Sequence, residues 1–488
     1  MKTYIISDTH FNHQMLIDKG YRIDGYEDII WHNLMNIPYD SLLIHLGDIC
    51  IGNDISVHNS ISQLKYKKVL VKGNHDNKCL SKETRLLTKE GYKYYSELKI
   101  DEIIPTLNLT TNKVEYNPIK DIFIYKNIDK IYVADSTSGR MEVTNHHIVI
   151  NQLGTISTNN IWRKQIAENL WNSKTCFRVP VMASSLGNFT VNINMLKLIA
   201  WIMTDGSIGK NRKLIIYQSK PIFVNEIRNI LNDLSIQYTE RIVNRKIKEI
   251  LGKKIKQCLP HHIFSLDLNF SKNFCSAFEY YDKYKIPKFL WDLSDENFNI
   301  FLTTLIKGDG HVQNSGTLVL WGKKELLIDI MGLCVTHNKH ANLCKQTGKN
   351  NYYLSIRQNQ SHKQYTSKHL SIENYNNTVW CVNVRNNTIF VELNGKPYIT
   401  GNSNHWYLQH GWDFVCEQFV DTYFGKKLLF SHVPTEDHGF DFNIHGHFHT
   451  LNREEYIKEF RTILNYKHKL VSLEELEYKP ILLERLIK

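Results

Sequence analysis

The period of apolar and polar positions changes several times along the chain, and each change marks a segment. Near the N-terminus the runs TYII, SLLIHL and KKVLV are short and almost continuously apolar, the pattern of buried strands. Helix-length stretches such as residues 26–36 separate them, which predicts an α/β layered sheet. From residue 79 the pattern becomes short alternating runs broken by turn residues, as in CLSKETRLLTKEGYKYYSELKIDEI, and predicts β structure. Two apolar helix-like runs then recur, LIAWIMTDGSIG at 198–209 and LTTLIKGDGHV at 302–312, each with an acid just before a glycine that can end the helix. Their acids, Asp205 and Asp309, are 104 positions apart, so the segment contains an internal repeat. The runs KLIIYQS, HHIFSLDL and NNYYLSIRQ alternate as strands do, and residues 451–488 read as a terminal helix or strand.

Composition narrows the possibilities. A chain of 488 residues exceeds one ordinary core, so a multidomain protein is expected. With 42% apolar and 22% charged residues it has a globular balance, and no apolar run of about 18 residues suggests a membrane role. The start, MKTYIISDTH, lacks the features of a signal peptide, and a cytoplasmic location is expected. Nine cysteines without a CxxC pair suggest neither a disulfide framework nor a zinc site. Charge is unevenly divided. Residues 1–78 hold 8 Lys/Arg and 9 Asp/Glu, and residues 403–488 hold 10 and 13, a net −4 for the two flanks. The whole chain carries +11, which leaves +15 for residues 79–402, the balance of a nucleic-acid-binding segment or, on charge alone, of a lysine-rich solvated surface.

The candidate chemistry of the flanks lies at the ends of the apolar runs. The first ends in Asp8 and His10, the second in Gly47 and Asp48, and the third in Gly73, Asn74, His75 and Asp76. The histidines needed to complete a metal centre come only after residue 403, as His432 in LLFSHVP and as His445, His447 and His449 in FNIHGHFHT. Taken in order, DxH, GD, GNHD, H and GHxH resemble the calcineurin-like metallophosphoesterase family. The resemblance implies one metal held by Asp8, His10, Asp48 and His449 and a second by Asp48, Asn74, His432 and His447, with Asp48 bridging and His75 stabilising the leaving oxygen. Carboxylate, amide and imidazole donors suit Mn, Fe or Zn, and two such ions can hold a phosphate ester and acidify the attacking water. Cys50 and Ile51 follow Asp48 where many members carry a further Asp.

Between Lys78 and Ser403 the chain leaves this pattern in mid-motif. The interruption opens on Cys79, closes on Asn402 and is followed by a hydroxyl residue, Ser403. Cys79 can attack the carbonyl before it, Ser403 can capture the acyl group, and Asn402 can cyclise and cut the bond after it. VTNHHIVI supplies Thr144 and His147 to orient and protonate the scissile amide. Cys79, the TxxH of Thr144–His147, VWCVNV with Cys381, and the closing Asn402–Ser403 resemble inteins of the all-β Hint fold. The resemblance implies splicing without a cofactor and an assisting role for Cys381. Gly401 and Thr388 stand where that family often has histidines.

Leu198–Gly206 and Leu302–Gly310 resemble the paired motifs of LAGLIDADG homing endonucleases, an α+β fold with a pseudo-two-fold repeat. The resemblance implies that Asp205 and Asp309 come together, share Mg ions and cut double-stranded DNA; the related Lys288 in YKIPKFLW is left without a role. The expected order is a metallophosphoesterase N-part over 1–78, a Hint N-part over 79–185, an endonuclease over 186–371, a Hint C-part over 372–402 and a metallophosphoesterase C-part over 403–488. The competing reading is a non-splicing phosphoesterase with a permanent DNA-binding insertion.

Overall fold

A computed structural model describes residues 1–50, 54–73, 79–154, 162–189, 191–244, 249–250, 253–254, 259–357, 360–401, 407, 411–416, 418–436, 439–448, 454, 457–458 and 460–487. Asn74, His75, Asn402, Ser403 and His449 lie outside these residues.

The apolar runs of the two flanks assemble with one another. Thr3–Ile6, Leu42–His45 and Lys67–Val71 pair in parallel, and two strands from beyond the insertion extend the sheet. Phe414–Cys416 runs parallel to Lys67–Val71, and Ile481–Leu482 runs antiparallel to Thr3–Ile6. The tail is therefore both strand and helix, since Leu483–Ile487 is helical. A second sheet is built wholly from the C-terminal flank, in the order Gln418–Tyr423, Lys426–Ser431, Phe442–His445, His468–Leu470. Ile5, Ile44 and Val71 of the first sheet pack with Leu428, Phe430 and Ile444 of the second in one apolar cluster. Another cluster combines Ile6, Leu43 and Leu70 with Tyr26, Ile30 and Leu34 of helix Tyr26–Met35. Burial on both faces explains why these strands lack alternation.

Residues 79–185 are mostly strands. Leu80–Ser81, Gly139–Val143, Asp121–Ser136 and Leu370–Asn383 close into a barrel, so the first and last parts of the insertion meet. A neighbouring sheet runs Lys396–Gly401, Thr388–Leu393, Arg85–Thr88, Gly91–Lys93. Strand His362–Tyr365, within the segment 186–371, pairs with Phe177–Pro180, whose other neighbour is Ile148–Leu153. In that pairing, these four residues join the sheet of the preceding segment.

The repeat is plain in three dimensions. Helices Ile193–Asp205 and Asp295–Asp309 pack side by side, and a Cβ on Gly308 would overlap the Thr204 side chain. Each helix leads into a four-stranded antiparallel sheet of the same order: Gly206–Ile208, Leu214–Gln218, His261–Leu266, Tyr238–Val243, and Gly310–Val312, Leu318–Gly322, Tyr352–Arg357, His340–Lys345. The 104-residue offset of Asp205 and Asp309 recurs between Leu214 and Leu318. The core of this unit continues into the β segment, with Leu87, Leu107 and Phe390 in one cluster with Trp291, Leu327 and Met331. No helix among the described residues is long and apolar enough to cross a membrane.

Candidate functional site

The parallel strands of the first sheet end together, and their last residues turn into a shared cleft. Asp8, His10, Asp48 and His447 all have positive φ, at 53°, 45°, 57° and 72°. Such backbone costs of order 1–3 kcal/mol per residue and persists where the surroundings enforce it. Those surroundings are visible. His45 is buried; its Nδ1 accepts the Gly47 N–H at 3.1 Å, and its Nε2 lies 2.9 Å from the Thr9 hydroxyl, which donates to Ile49 O. Burial pushes the His45 pKa down to about 3, consistent with a neutral ring linking the two ligand loops. Gly47 has φ 99°, and a Cβ there would fall inside the Gly73 backbone, so the close approach of the second and third loops requires glycine.

The ligand atoms of Asp8, His10 and Asp48 lie within 4.8 Å of one another, and so do those of Asp48, His432 and His447. Asp48 is common to both groups, the position the sequence assigns to a bridging carboxylate. His432 Nδ1 donates to Leu46 O at 2.7 Å, which turns Nε2 toward Asp48 Oδ2 at 3.3 Å and His447 Nδ1 at 3.1 Å. Burial disfavours the His432 imidazolium, and the neighbouring Asp48 carboxylate outweighs it, lifting the pKa to about 10. Two buried carboxylates, Asp8 and Asp48, face three imidazoles, a cluster of donors that a divalent cation would satisfy. The donor set fits two cations sharing Asp48.

At the opening seam Cys79 is fully buried in a cluster with Phe123, Val379 and Cys381. Its backbone N–H, the nitrogen of the Lys78–Cys79 peptide, donates to Thr144 Oγ1 at 2.8 Å, and the Thr144 N–H donates back to Cys79 O at 3.0 Å. His147 is buried as well, with Nε2 2.7 Å from Thr400 Oγ1, two positions before Asn402. The same histidine therefore faces the closing strand Lys396–Gly401. Gly401 leaves no room for a side chain: a Cβ would lie 2.6 Å from Ile148 O. The Thr388 hydroxyl accepts the Leu107 N–H and donates to Leu107 O, both at 2.7 Å, and so ties strand Thr388–Leu393 to strand Ile103–Asn108.

In the repeat, burial raises the Asp205 pKa to about 6, with the Asp309 charge adding to it, and burial also raises Asp309. Gln218 donates to Asp205 Oδ2 at 3.0 Å, and Lys283 Nζ donates to Thr204 O at 3.2 Å and Gly206 O at 2.7 Å. Lys288 is exposed and pairs with Glu279 at 3.1 Å. Lys220 and Lys283 supply the positive charges that act on Asp205 and Asp309.

Residues 1–181 match the family described as calcineurin-like phosphoesterase. A comparison with curated proteins finds no match. Among solved structures, the chain is similar to a protein of unknown function from Aquifex aeolicus, with 37% identity over 16% of this chain and a TM-score of 0.15. It spans 44% of the length of that protein. It is also similar to the homing endonuclease I-DmoI in complex with DNA and Mn, at 13% identity over 34% of this chain and 91% of that one, with a TM-score of 0.25. A splice-inactive AceL NrdHF class 3 split intein aligns at 8% identity over 67% of this chain and 100% of its own, with a TM-score of 0.25.

Around the candidate ligands lies a supporting set that no motif in the sequence marks. Arg22 is buried, donates to Thr9 O at 2.8 Å and Asp8 O at 2.5 Å, and pairs through Nε with Glu474 at 3.0 Å. Tyr26 donates to His10 O at 2.5 Å. Neither lies in a ligand motif: Tyr26 opens helix Tyr26–Met35 and Arg22 precedes it, so no local pattern marks either. Thr400, Gln218 and Lys283 were missed for the same reason, since their partners are distant in sequence.

Proposed function

We propose that the chain is a splicing precursor that excises residues 79–402 and joins its flanks into a two-metal phosphoesterase. The observation that carries this reading is that the flanks close into one two-sheet fold, with candidate ligands from both sides of the insertion in a single cluster. An inserted segment that starts with a buried Cys79 and returns to the same barrel before Asn402 has the geometry for leaving without disturbing that fold.

The chemistry follows from these positions. Thr144 holds the Cys79 N–H, which orients the Lys78–Cys79 amide for attack by the thiol on the Lys78 carbonyl carbon. The C–N bond breaks as the nitrogen takes a proton, for which His147 is the assigned donor, and a thioester forms. The Ser403 hydroxyl attacks this thioester, releasing the Cys79 thiol and leaving the N-flank as an ester on Ser403. The Asn402 side-chain nitrogen then attacks its own backbone carbonyl, forming a succinimide and freeing the Ser403 amine. That amine attacks the ester, and an ordinary peptide bond joins Lys78 to Ser403. Cys381 packs in the Cys79 cluster, in keeping with its supporting role.

In the joined product Asp8, His10, Asp48, His432 and His447, with Asn74 and His449, would hold two divalent cations. Such ions, when bound, polarise a phosphoryl group and acidify the attacking water. His75 would stabilise the leaving oxygen of a phosphate ester. Within the insertion, the paired Asp205 and Asp309 at the ends of packed helices support a Mg-dependent endonuclease acting on double-stranded DNA. Intact mass spectrometry tests the main reading. The unaltered chain should yield residues 1–78 joined to 403–488 plus a separate 79–402 species, while Cys79→Ala with Asn402→Ala stays at 57.4 kDa. If both remain whole, the insertion is permanent and the splicing reading fails.

A further inference from the structure

In the unspliced chain a continuous set of contacts joins the candidate cation centre to the opening seam at Cys79. His432 and His447 come from beyond the insertion and Asp8, His10 and Asp48 from before it, yet they already cluster while residues 79–402 are in place. The His447 N–H donates to Asp8 Oδ2 at 2.9 Å, and His432 Nδ1 to Leu46 O at 2.7 Å. Gly73 packs directly on the shared carboxylate, since a Cβ there would overlap Asp48 Oδ1. One residue earlier, the Lys72 ammonium lies over the rings of Phe123 at 4.5 Å and Tyr125 at 5.2 Å, on a strand of the splicing barrel. Phe123 in turn shares the buried cluster of Cys79 and Cys381. From Gly73 to Cys79 the chain advances six residues, at most about 20 Å when extended.

We infer that a divalent cation, bound across the two flanks before splicing, clamps the seams and so sets the ratio of joined to cleaved product. The inference rests on the splicing reading. The clustered carboxylates repel one another and the ligands belong to two chain segments, so an ion that binds both segments adds a cross-link. That cross-link keeps the Lys78 acyl group and Ser403 at high effective concentration during the interval in which a thioester would otherwise be lost to water. Without the ion, separation of the flanks is opposed by strand pairing, packing and side-chain contacts such as Arg22–Glu474 and His432–Asp48, and the ion adds to these.

The test refolds the full chain from urea in a thiol-containing buffer, either with Mn²⁺ or with EDTA, and reads joined product against released residues 1–78 by intact mass spectrometry. The expected result is a joined-to-cleaved ratio about threefold or more higher in Mn²⁺. Asp48→Asn should remove the difference between the two buffers. Circular dichroism on the non-splicing Cys79→Ala, Asn402→Ala chain, with and without Asp48→Asn, checks that both fold. Equal ratios in Mn²⁺ and EDTA overturn the clamp and leave splicing intact. A Mn²⁺ effect that survives Asp48→Asn also overturns it, because the ion then acts elsewhere. If no product forms in either buffer, the splicing reading falls and takes the inference with it. The wild-type comparison needs no variant, so equal ratios overturn the clamp even if Asp48→Asn misfolds.

Discussion

At the scale of single residues, the chain places reactive groups by fixing the backbone around them. Four residues proposed as metal ligands sit at positive φ, and Arg22, Tyr26 and His45 meet the carbonyls, amides and hydroxyl of their loops. The amide at Cys79 that splicing would break is held in the same manner by one hydroxyl, Thr144 Oγ1. Replacing Thr144 with Val keeps the shape and removes the acceptor, leaving a buried N–H unpaired at a cost of about 1–3 kcal/mol. In an Asn402→Ala, Ser403→Ala background, where only the first step can proceed, Thr144→Val should slow thiol-induced release of residues 1–78 about tenfold or more. Gel densitometry over time would measure this, and an unchanged rate would remove Thr144 from the mechanism. Gly401 is instructive in another way. The sequence shows a glycine where related chains often carry histidine, and the Ile148 carbonyl against its Cα explains why no side chain is accepted.

Among the elements, the helix Lys324–Thr336 links the endonuclease-like repeat to the splicing segment. Its Met331 and Leu327 enter the shared core, and Asp329 is carried into the same junction, where a Cβ on Gly91 would overlap its carboxylate. Burial raises the Asp329 pKa to about 7, opposed by the charges of Lys285 and Arg85. A carboxylic acid that holds its proton more tightly when folded contributes stability below its unfolded pKa, near 4, and loses it as pH rises through about 7. The non-splicing chain should therefore melt at progressively lower temperature as pH rises across this window, to the extent that Asp329 dominates. Asp329→Asn isolates its share: its melting temperature should exceed that of the parent at pH 8 and converge with it at pH 4. Scanning calorimetry at the two pH values would show it, and equal differences at both would mean that the carboxyl titrates normally.

Much at this scale was legible beforehand. Leu198–Gly206 and Leu302–Gly310 announced helices by their apolar character and terminal glycines, because helix boundaries depend on local chemistry. Strand His362–Tyr365 was not legible as part of the barrel segment's sheet, because its partner Phe177–Pro180 is remote in sequence and no local pattern encodes the pairing.

For the molecule as a whole, the flanks behave as one unit despite the intervening 324 residues. The Arg22–Glu474 pair is the clearest sign: one guanidinium holds the Asp8–Thr9 carbonyls and reaches a carboxylate 452 positions away. If this link positions Asp8 and His10 for a cation, Arg22→Met should weaken Mn²⁺ binding by the non-splicing chain about 10–100-fold, the range typical of groups that orient metal ligands. Calorimetric titration would measure the affinity, and partial recovery with Arg22→Lys would separate the charge at the carbonyls from simple packing. Unchanged affinity would make the pair a tie between flanks and nothing more.

The sequence by itself determined which residue types are available and in what order. Strand-end acids and histidines, a cysteine and an asparagine at two seams, and a twice-written helix motif are local facts, readable because backbone periodicity and side-chain chemistry act over a few residues. Only the tertiary structure decided which of them meet. It put Asp48 between His10 and His432, joined His147 to Thr400, gave Lys283 the place beside Asp205, and ran a single core through the splicing and repeat segments. Those choices depend on burying apolar faces against distant partners and on pairing the polar groups trapped between them, which no short stretch of chain can specify.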